Sequence, residues 1–207
     1  MTNASAAAKP GSRARRHSRR DELLEKAAEL IARNGFEGTS MRDIAASVDM
    51  LPGSLYYHFA SKEDMLLEIH EKVVQSMIER VKAAISTAAA PWDQIEAAAV
   101  AHLEGLMESG NLVSIISPNF PEERGALNDR IKAQRREYEQ IFRGLFDALP
   151  LPNHLDPRVL RLQLLGALNW VPVWFQPGRG RAPAEVARQF TRTLRDGCQA
   201  GTAGAGH

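Results

Sequence analysis

The sequence predicts an all-α fold of two domains, in which a small three-helix domain precedes a larger helical domain. Apolar residues recur every three or four positions along most of the chain. Prolines lie at or before most of the predicted helix starts, where a missing N–H costs no hydrogen bond. No run of useful length alternates as a half-buried strand does. With 207 residues, 44% of them hydrophobic, the chain can bury one small and one larger core.

Composition and charge divide the chain into four predicted segments. Residues 1–18 form a basic arm, residues 19–79 the small domain, residues 80–200 the larger helical body and residues 201–207 a flexible tail. The formal net charge of +1 hides an asymmetry, because residues 1–62 hold ten basic and seven acidic side chains. The positive charge therefore lies on the small domain and its arm, as a nucleic-acid partner would require.

The arm should be disordered when it is free, because it is rich in Ala, Ser and Gly and lacks apolar periodicity. The first twenty residues, which hold the arm and its junction with the small domain, have no acidic residue, and their basic residues are Lys9, Arg13, Arg15, Arg16, Arg19 and Arg20. Attraction to phosphates could order such an arm along a DNA groove. A solvated tail with only non-specific attraction to DNA is the open alternative.

Residues 39–62 predict two short helices around a tight turn, followed by a longer helix. A hydroxyl of Thr39 or Ser40 can cap the first helix, and Asp49 and Met50 then turn the chain. The apolar side of this helix is formed by Met41, Ile44, Ala45 and Val48. An earlier helix, from about Asp21 to Asn34, completes the small core and should end at Gly35.

The second short helix has side chains suited to DNA contact. It opens with the run Leu51-Pro52-Gly53-Ser54, in which a proline at the first turn and small neighbours allow close approach to DNA. Leu55 and Phe59 are four residues apart and should pack inward. The side chains left to meet bases or phosphates are Ser54, Tyr56, Tyr57 and His58. Lys62 follows, with Ser61 as the predicted cap of the next helix, where a phosphate could bind.

Three elements lie in a fixed order and spacing between about Arg19 and Glu71, and they are Ile31-x3-Gly35-Phe36-x2-Thr39, Met41-Arg42-Asp43-Ile44-Ala45 and Gly53-Ser54-Leu55-Tyr56-Tyr57-His58-Phe59-x2-Lys62-Glu63. In these elements the chain resembles the amino-terminal DNA-binding domain of TetR-family transcriptional regulators. The resemblance implies a helix-turn-helix that reads an operator. The predicted DNA-binding residues are Thr39, Ser40, Arg42, Leu51, Pro52, Gly53, Ser54, Tyr56, Tyr57, His58 and Lys62.

The body should also be entirely helical. A long helix after Lys62 carries apolar residues as far as Ile85, beyond what the small domain needs. Further helices are predicted over 91–109, 111–117, 121–149, 156–175 and 183–198. The stretch from Leu162 to Phe175 is apolar nearly all round and should be a buried helix. The resemblance implies that the last two long helices form a homodimer interface, so that two small domains bind a near-palindromic operator.

Apolar and aromatic residues of the body are candidates for lining a cavity for a greasy ligand, in which few polar groups are needed. The predicted ligand-binding residues are His102, Leu103, Leu106, Met107, Phe120, Gln134, Tyr138, Phe142, Asn169, Trp170 and Trp174, with Ile115 and Ile116 as further candidates. For each residue taken alone, ordinary core packing is the alternative.

Residues 169–178 also resemble a Trp-x3-Trp-aromatic-x-Pro stretch of TetR-like regulators of fatty-acid and sterol catabolism. That resemblance implies an acyl-CoA thioester as effector. The phosphates of such a ligand would need cations, for which Arg124, Arg130, Arg135, Arg136, Arg179 and Arg181 are available. A dimer seam made of large rings is the alternative for the two tryptophans.

Motifs of enzymes are missing from the sequence, which has no paired cysteines, phosphate loop or Gly-x-Ser-x-Gly elbow. Its single cysteine, Cys198, should pack in the core. We therefore predict neither catalysis nor a metal or cofactor. No apolar stretch follows the arm, so we expect a cytoplasmic protein without a membrane anchor.

Taken together, these features predict a homodimeric transcriptional repressor that a small hydrophobic effector releases from double-stranded DNA. A TetR-type activator and an architectural DNA-binding protein without an effector are the alternatives.

Overall fold

The computed structural model describes residues 11–109, 125–176, 178 and 180–203, with side chains described within 19–108, 125–176, 178 and 180–199. The described residues form eight helices and no strand, which confirms the all-α prediction. The helices are α1 (Gly11–Asn34), α2 (Met41–Ala46), α3 (Pro52–His58), α4 (Lys62–Ile85), α5 (Pro91–Ser109), α6 (Gly125–Asp147), α7 (Pro157–Trp174) and α8 (Pro183–Ala203).

Several helix ends differ from the sequence prediction. Helix α1 begins at Gly11, ten residues before the predicted start, so residues 11–18 of the predicted disordered arm are helical. Arg and Ala propagate a helix at little cost, and no proline interrupts this stretch. Helix α8 also runs further than predicted, to Ala203, into the predicted flexible tail. Residues 1–10 and the helix predicted over 111–117 lie outside the described residues.

The chain divides into two compact units, with the division between His70 and Glu71. The small domain is the first unit and the body is the second, although we predicted the division at residue 79. In the first unit, α1 ends at Asn34, and the next residue, Gly35, has a φ of 77°, which glycine adopts without strain. The turn between α2 and α3 uses Asp49 at a φ of 53°, a left-handed conformation that Asp tolerates better than most side chains.

Helix α5 lies at the centre of the second unit and packs against α6, α7 and α8. The core around it is apolar and includes the fully buried Ile95, Leu103, Phe142 and Leu168. Cys198 is buried in the same core, as predicted. Burial raises the pKa of its thiol, which keeps the sulfur protonated and unreactive.

Candidate DNA interface and ligand site

Helix α2 is fixed at its start by a reciprocal cap between Ser40 and Asp43. The Asp43 N–H donates to Ser40 Oγ at 3.2 Å, and the Ser40 N–H donates to Asp43 Oδ2 at 2.8 Å. Both bonds satisfy N–H groups that a helix start otherwise leaves unpaired. The hydrogen bonds from Ser40 hold the pKa of the Asp43 carboxyl below its usual value. The predicted choice between two caps therefore resolves to Ser40.

Helix α3 presents the exposed surface that the sequence predicted for DNA contact. Leu55 and Phe59 are 0% and 3% exposed and point into the small core, whereas Tyr56 and Tyr57 are 55% and 78% exposed. Leu51, at the start of the helix, is 76% exposed. The other predicted contacts of this region are exposed or half-buried, namely Ser40, Arg42, Pro52, Gly53, Ser54 and His58.

Thr39 differs from the other predicted contacts because its side chain is only 1% exposed. Its hydroxyl donates toward the backbone oxygens of Gly35, at 2.9 Å, and Leu30, at 3.3 Å. The hydroxyl thus ties the end of α1 to the start of α2. We therefore correct the prediction for Thr39, whose side chain is built into the small domain and is not presented to DNA.

The Lys62 ammonium also forms hydrogen bonds within the small domain. Its ammonium donates to the backbone oxygens of Phe36 and Thr39, at 2.5 and 2.8 Å, and lies 4.1 Å from the centroid of the Phe36 ring. Two of the three N–H donors of the ammonium are used in this way. Only the third remains for the phosphate that the sequence assigned to it.

Sequence reasoning missed the roles of Arg19 and Arg20, which it assigned to the arm. Arg19 donates to the backbone oxygen of Val48 at 3.0 Å, in the turn that precedes α3. Arg20 donates to the backbone oxygen of His58 at 2.6 Å and forms a two-bond ion pair with Glu68. No local sequence signal marks these bonds, since their partners lie 29 to 48 residues away.

In the body, three predicted ligand-site residues join in one polar cluster that connects α5, α6 and α7. The His102 side chain is only 4% exposed. Its Nε2 donates a hydrogen bond to Asn169 Oδ1 at 3.0 Å. Its Nδ1 then accepts from the Tyr138 hydroxyl at 2.5 Å. Burial lowers the pKa of His102 to about 4, although the bond to Asn169 works in the opposite direction. Burial also raises the pKa of Tyr138. The cluster is therefore neutral near pH 7.

Aromatic rings pack against His102 in this cluster, whereas Asn169 is exposed. The His102 ring stacks on Tyr138 at 5.8 Å between centroids and meets the edge of Phe142 at 5.7 Å. Leu103 and Leu106 are almost fully buried, whereas Met107 and Gln134 are half-buried. An apolar wall with one neutral hydrogen-bonded group is the composition expected of a site for a greasy ligand. Phe120, with Ile115 and Ile116, lies outside the described residues.

Comparison with known proteins identifies the family through both units. Residues 23–69 match the family model of bacterial regulatory proteins of the tetR family. Residues 88–198 match the model of a tetracyclin repressor-like C-terminal domain. The chain belongs to the TetR family. It is a DNA-binding transcriptional regulator and not an enzyme, as predicted.

Individual relatives of this TetR-family regulator are similar along most of their length. The HTH-type transcriptional repressor KstR2 of Mycolicibacterium smegmatis is 32% identical over 184 residues, which cover 84% of this chain and 87% of the relative. The structure of the ketosteroid transcriptional regulator KstR2 of Mycobacterium tuberculosis is 26% identical, with a TM-score of 0.64 and coverage of 93% and 98%. A crystal structure of AibR in complex with isovaleryl coenzyme A and operator DNA is 28% identical, with a TM-score of 0.71 and coverage of 85% and 97%.

The two tryptophans of the TetR-family regulator do not join the polar cluster. Trp170 and Trp174 are 63% and 49% exposed, so the expectation that residues 162–175 are buried all round is wrong for the single chain. Leu164, Leu168 and Val171 face the core along one side of α7. Since Trp170 follows Asn169 by about 100° around the helix, it points away from the group that holds His102.

Trp174 lines a surface groove of about 480 Å³ between α7 and α8, together with Phe190 and Arg181. A second groove, of about 460 Å³, opens between the same helices and is lined by Leu160, Leu164 and Phe190 among others.

Among the described helices, none has the length and apolar character needed to cross a bilayer.

Proposed function

We propose that this TetR-family regulator is a homodimeric repressor that leaves its operator when a hydrophobic acyl-CoA thioester binds the body. The observation that carries the DNA half of the proposal is the outward face of α3, where Tyr56 and Tyr57 stand exposed beside a glycine and a serine. Aromatic rings and hydroxyls of this kind contact thymine methyls, base edges and phosphates.

The proposed DNA contacts are the predicted residues whose side chains face outward. They are Ser40, Arg42, Leu51, Pro52, Gly53, Ser54, Tyr56, Tyr57 and His58, with Lys62 contributing at most its third N–H. Arg42 is exposed at the first turn of α2 and, among the described residues, has no ion-pair partner. Its charge is therefore available to a phosphate.

The proposal of repression, as opposed to activation, rests on the KstR2 relative, whose name describes a repressor.

The homodimer is supported by an exposed apolar stripe along α7. Its large members are Val159, Leu162, Trp170, Val173 and Trp174, each between 49% and 65% exposed. Gly166 lies exposed within the stripe, where an added Cβ would meet nothing within 4 Å, so a partner helix can approach closely there. A second copy of α7 and α8 would cover this stripe and the two grooves beside it. Four helices would then pack together.

The proposed effector class rests on two observations. AibR, a solved neighbour of similar fold, was crystallised with isovaleryl coenzyme A and operator DNA. In this chain, the cluster of His102, Tyr138 and Asn169 supplies a neutral polar group beside the apolar Phe142. Tyr138 still has acceptor capacity and Asn169 still has donor capacity. A thioester is also neutral, so it could be oriented here without burying a charge.

The proposed coupling is a shift of population between two conformations of the body. The effector binds one of them more tightly, and in that conformation α4 holds the two DNA-binding units at a spacing that no longer matches the operator. An effector with equal affinity for both conformations would have no effect on DNA binding.

A gel-shift titration tests the function with a duplex selected from a random-sequence pool by the wild-type protein. We expect tight, sequence-specific binding at near-physiological salt that isovaleryl-CoA or a long-chain acyl-CoA abolishes, while free CoA does not. Binding that ignores both thioesters would discard the effector class and keep the regulator. Binding that is salt-labile and blind to sequence would favour the architectural alternative.

Sedimentation equilibrium tests the homodimer. The double variant Trp170→Ser with Trp174→Ser should dissociate at concentrations where the wild type is dimeric, because buried tryptophans are frequent hot spots of interfaces. Tyr56→Ser removes a similarly exposed aromatic ring from the other unit and should leave the dimer intact. A dimer that is unchanged in the double variant would place the interface elsewhere.

A further inference from the structure

Basic side chains frame the helix-turn-helix from inside the small domain. Arg19 binds the backbone oxygen of Val48, before α3, and Arg20 binds the backbone oxygen of His58, at the end of α3. Lys62 binds the backbone oxygens of Phe36 and Thr39, both in the loop that leads into α2. Each of these cations would, by its charge alone, be assigned to DNA phosphates. Their hydrogen bonds instead connect the ends of the two short helices to α1 and α4.

Arg20 is the most completely engaged of them. Its Nε and Nη2 donate to the two carboxylate oxygens of Glu68, at 3.0 and 2.5 Å, and its Nη1 donates to His58 at 2.6 Å. Three of its five N–H groups are thereby used. The guanidinium carbon also lies 4.1 Å from the centroid of the Phe59 ring.

The bond from Arg20 to the His58 oxygen lies at the end of α3, where the last carbonyls of a helix have no hydrogen-bond partner within it. Arg20 satisfies one of them in α3 and brings a positive charge to the negative end of that helix. Glu68, on α4, holds the guanidinium in place, while Phe59 packs beneath it. The guanidinium thus joins α1, the end of α3 and the start of α4.

We propose that Arg20 is a positioning residue that sets the orientation of α3 for reading DNA, that Glu68 acts with it, and that Arg20 does not contact a phosphate. The proposal rests on DNA reading by α3. The proposal predicts that Glu68 contributes to DNA binding, although its carboxylate would repel a phosphate. Removing the Glu68 carboxylate therefore distinguishes a positioning role of Arg20 from a phosphate contact.

Glu68→Gln provides the separation. If Arg20 contacts phosphate, loss of the carboxylate frees the guanidinium and makes the protein more positive, so DNA binding is retained or strengthened. If Arg20 positions α3, the same substitution weakens binding, because glutamine offers one neutral acceptor in place of a two-oxygen carboxylate. Glu29→Gln is the matched control, since it makes the same charge change in an exposed pair with Lys26.

The experiment measures the affinity of the full-length variants for the duplex selected by the wild type, and for an unrelated duplex, over a range of salt concentrations. For Arg20→Gln and Glu68→Gln we expect a loss of roughly tenfold for the selected duplex, the order expected for a charge-assisted hydrogen bond. For Glu68→Gln, affinity for the unrelated duplex should not fall. The dependence of log affinity on log salt should keep the wild-type slope, whereas a lost phosphate contact would reduce it by about 0.9.

Thermal unfolding identifies any variant that fails to fold, and Arg20→Lys then replaces Arg20→Gln. Lysine keeps the charge but cannot bind a carboxylate in two-bond fashion while reaching a carbonyl. It should therefore also lose affinity for the selected duplex. Wild-type affinity in Glu68→Gln, or a reduced salt slope in Arg20→Gln, would overturn the proposal. A wild type that selects no duplex would overturn DNA reading by α3 as well.

Discussion

Helices α3 and α7 both expose large apolar side chains, but they do so in different patterns. At α3 the exposed residues are Leu51, Tyr56 and Tyr57, and polar or small residues lie between them. On α7 five such residues form a stripe that runs along the helix from Val159 to Trp174. A mixed surface suits DNA, which offers methyls, base edges and phosphates together. A continuous stripe suits another apolar protein surface.

The two units also place their polar groups in opposite ways. In the first unit, half-exposed cations bind backbone oxygens at the edges of the core, as Arg20 and Lys62 do. In the second unit, the neutral His102 is buried against aromatic rings, while its hydrogen-bond partners Tyr138 and Asn169 are half-buried and exposed. The first arrangement keeps charge at the surface, near a polyanionic partner, while the second excludes charge from an apolar core. Four substitutions test this contrast, in order of decreasing expected effect.

The largest effect is expected in the core of the body. Phe142 is fully buried, so Phe142→Ala should lower the free energy of unfolding of the body by about 3 to 5 kcal/mol. Denaturant unfolding followed by tryptophan fluorescence reports on this unit, since all three tryptophans lie within residues 71–207. A loss below about 1 kcal/mol would show that this core is loosely packed.

The next effect is the pH dependence of the body. The pKa of His102 falls from 6.5 when unfolded to about 4 when folded, so between these values only the unfolded chain takes up the proton. Stability is therefore complete above pH 6.5 and is lost as the pH falls toward 4, by roughly 3 kcal/mol for the full shift. His102→Gln should flatten this dependence, measured by denaturant unfolding at several pH values. His154→Gln removes an exposed histidine of the same unit and serves as the control. Parallel profiles for wild type and His102→Gln would contradict the buried neutral histidine.

A smaller effect is expected at the surface of α3, where function and stability should separate. Tyr57→Ala should weaken binding to the selected duplex by about 2 kcal/mol, in the range of a good base contact. Because Tyr57 is 78% exposed, thermal unfolding should be unchanged, and sedimentation should still find the wild-type oligomer. Loss of the fold or of the oligomer in this variant would mean that the ring has a structural role.

The smallest effect is expected at the cap of α2. Ser40→Ala removes the acceptor of the Asp43 N–H and should destabilise the helix start by about 1 kcal/mol. Hydrogen exchange of the α2 amides measures this locally. Ser54→Ala, at an exposed site whose hydroxyl caps no helix, is the matched control. Equal exchange in the two variants would show that the cap contributes nothing to α2.

Much of the first unit could be predicted because its signals are local. The Ser40 cap, the inward Leu55 and Phe59, and the turn at Asp49 each follow from residues within a few positions of one another. The start of α1 and the end of α8 were placed less well, because helix ends fray and their exact limits are only weakly marked by the local sequence. The periodicity of apolar residues predicted the helices of the body. It did not predict which side of α7 is exposed, since Trp170 and Trp174 lie outside the core.

The sequence by itself determined the helices, the family and the outward face of α3, since these depend on spacing along the chain. The tertiary structure alone decided which charges are internal and which aromatic rings are outside. Arg20 finds Glu68 across 48 residues, and His102 finds Asn169 across 67. The same fold leaves Trp170 exposed next to Asn169. Such pairings depend on how whole helices pack, and burial then sets which groups carry charge, as the low pKa of His102 shows.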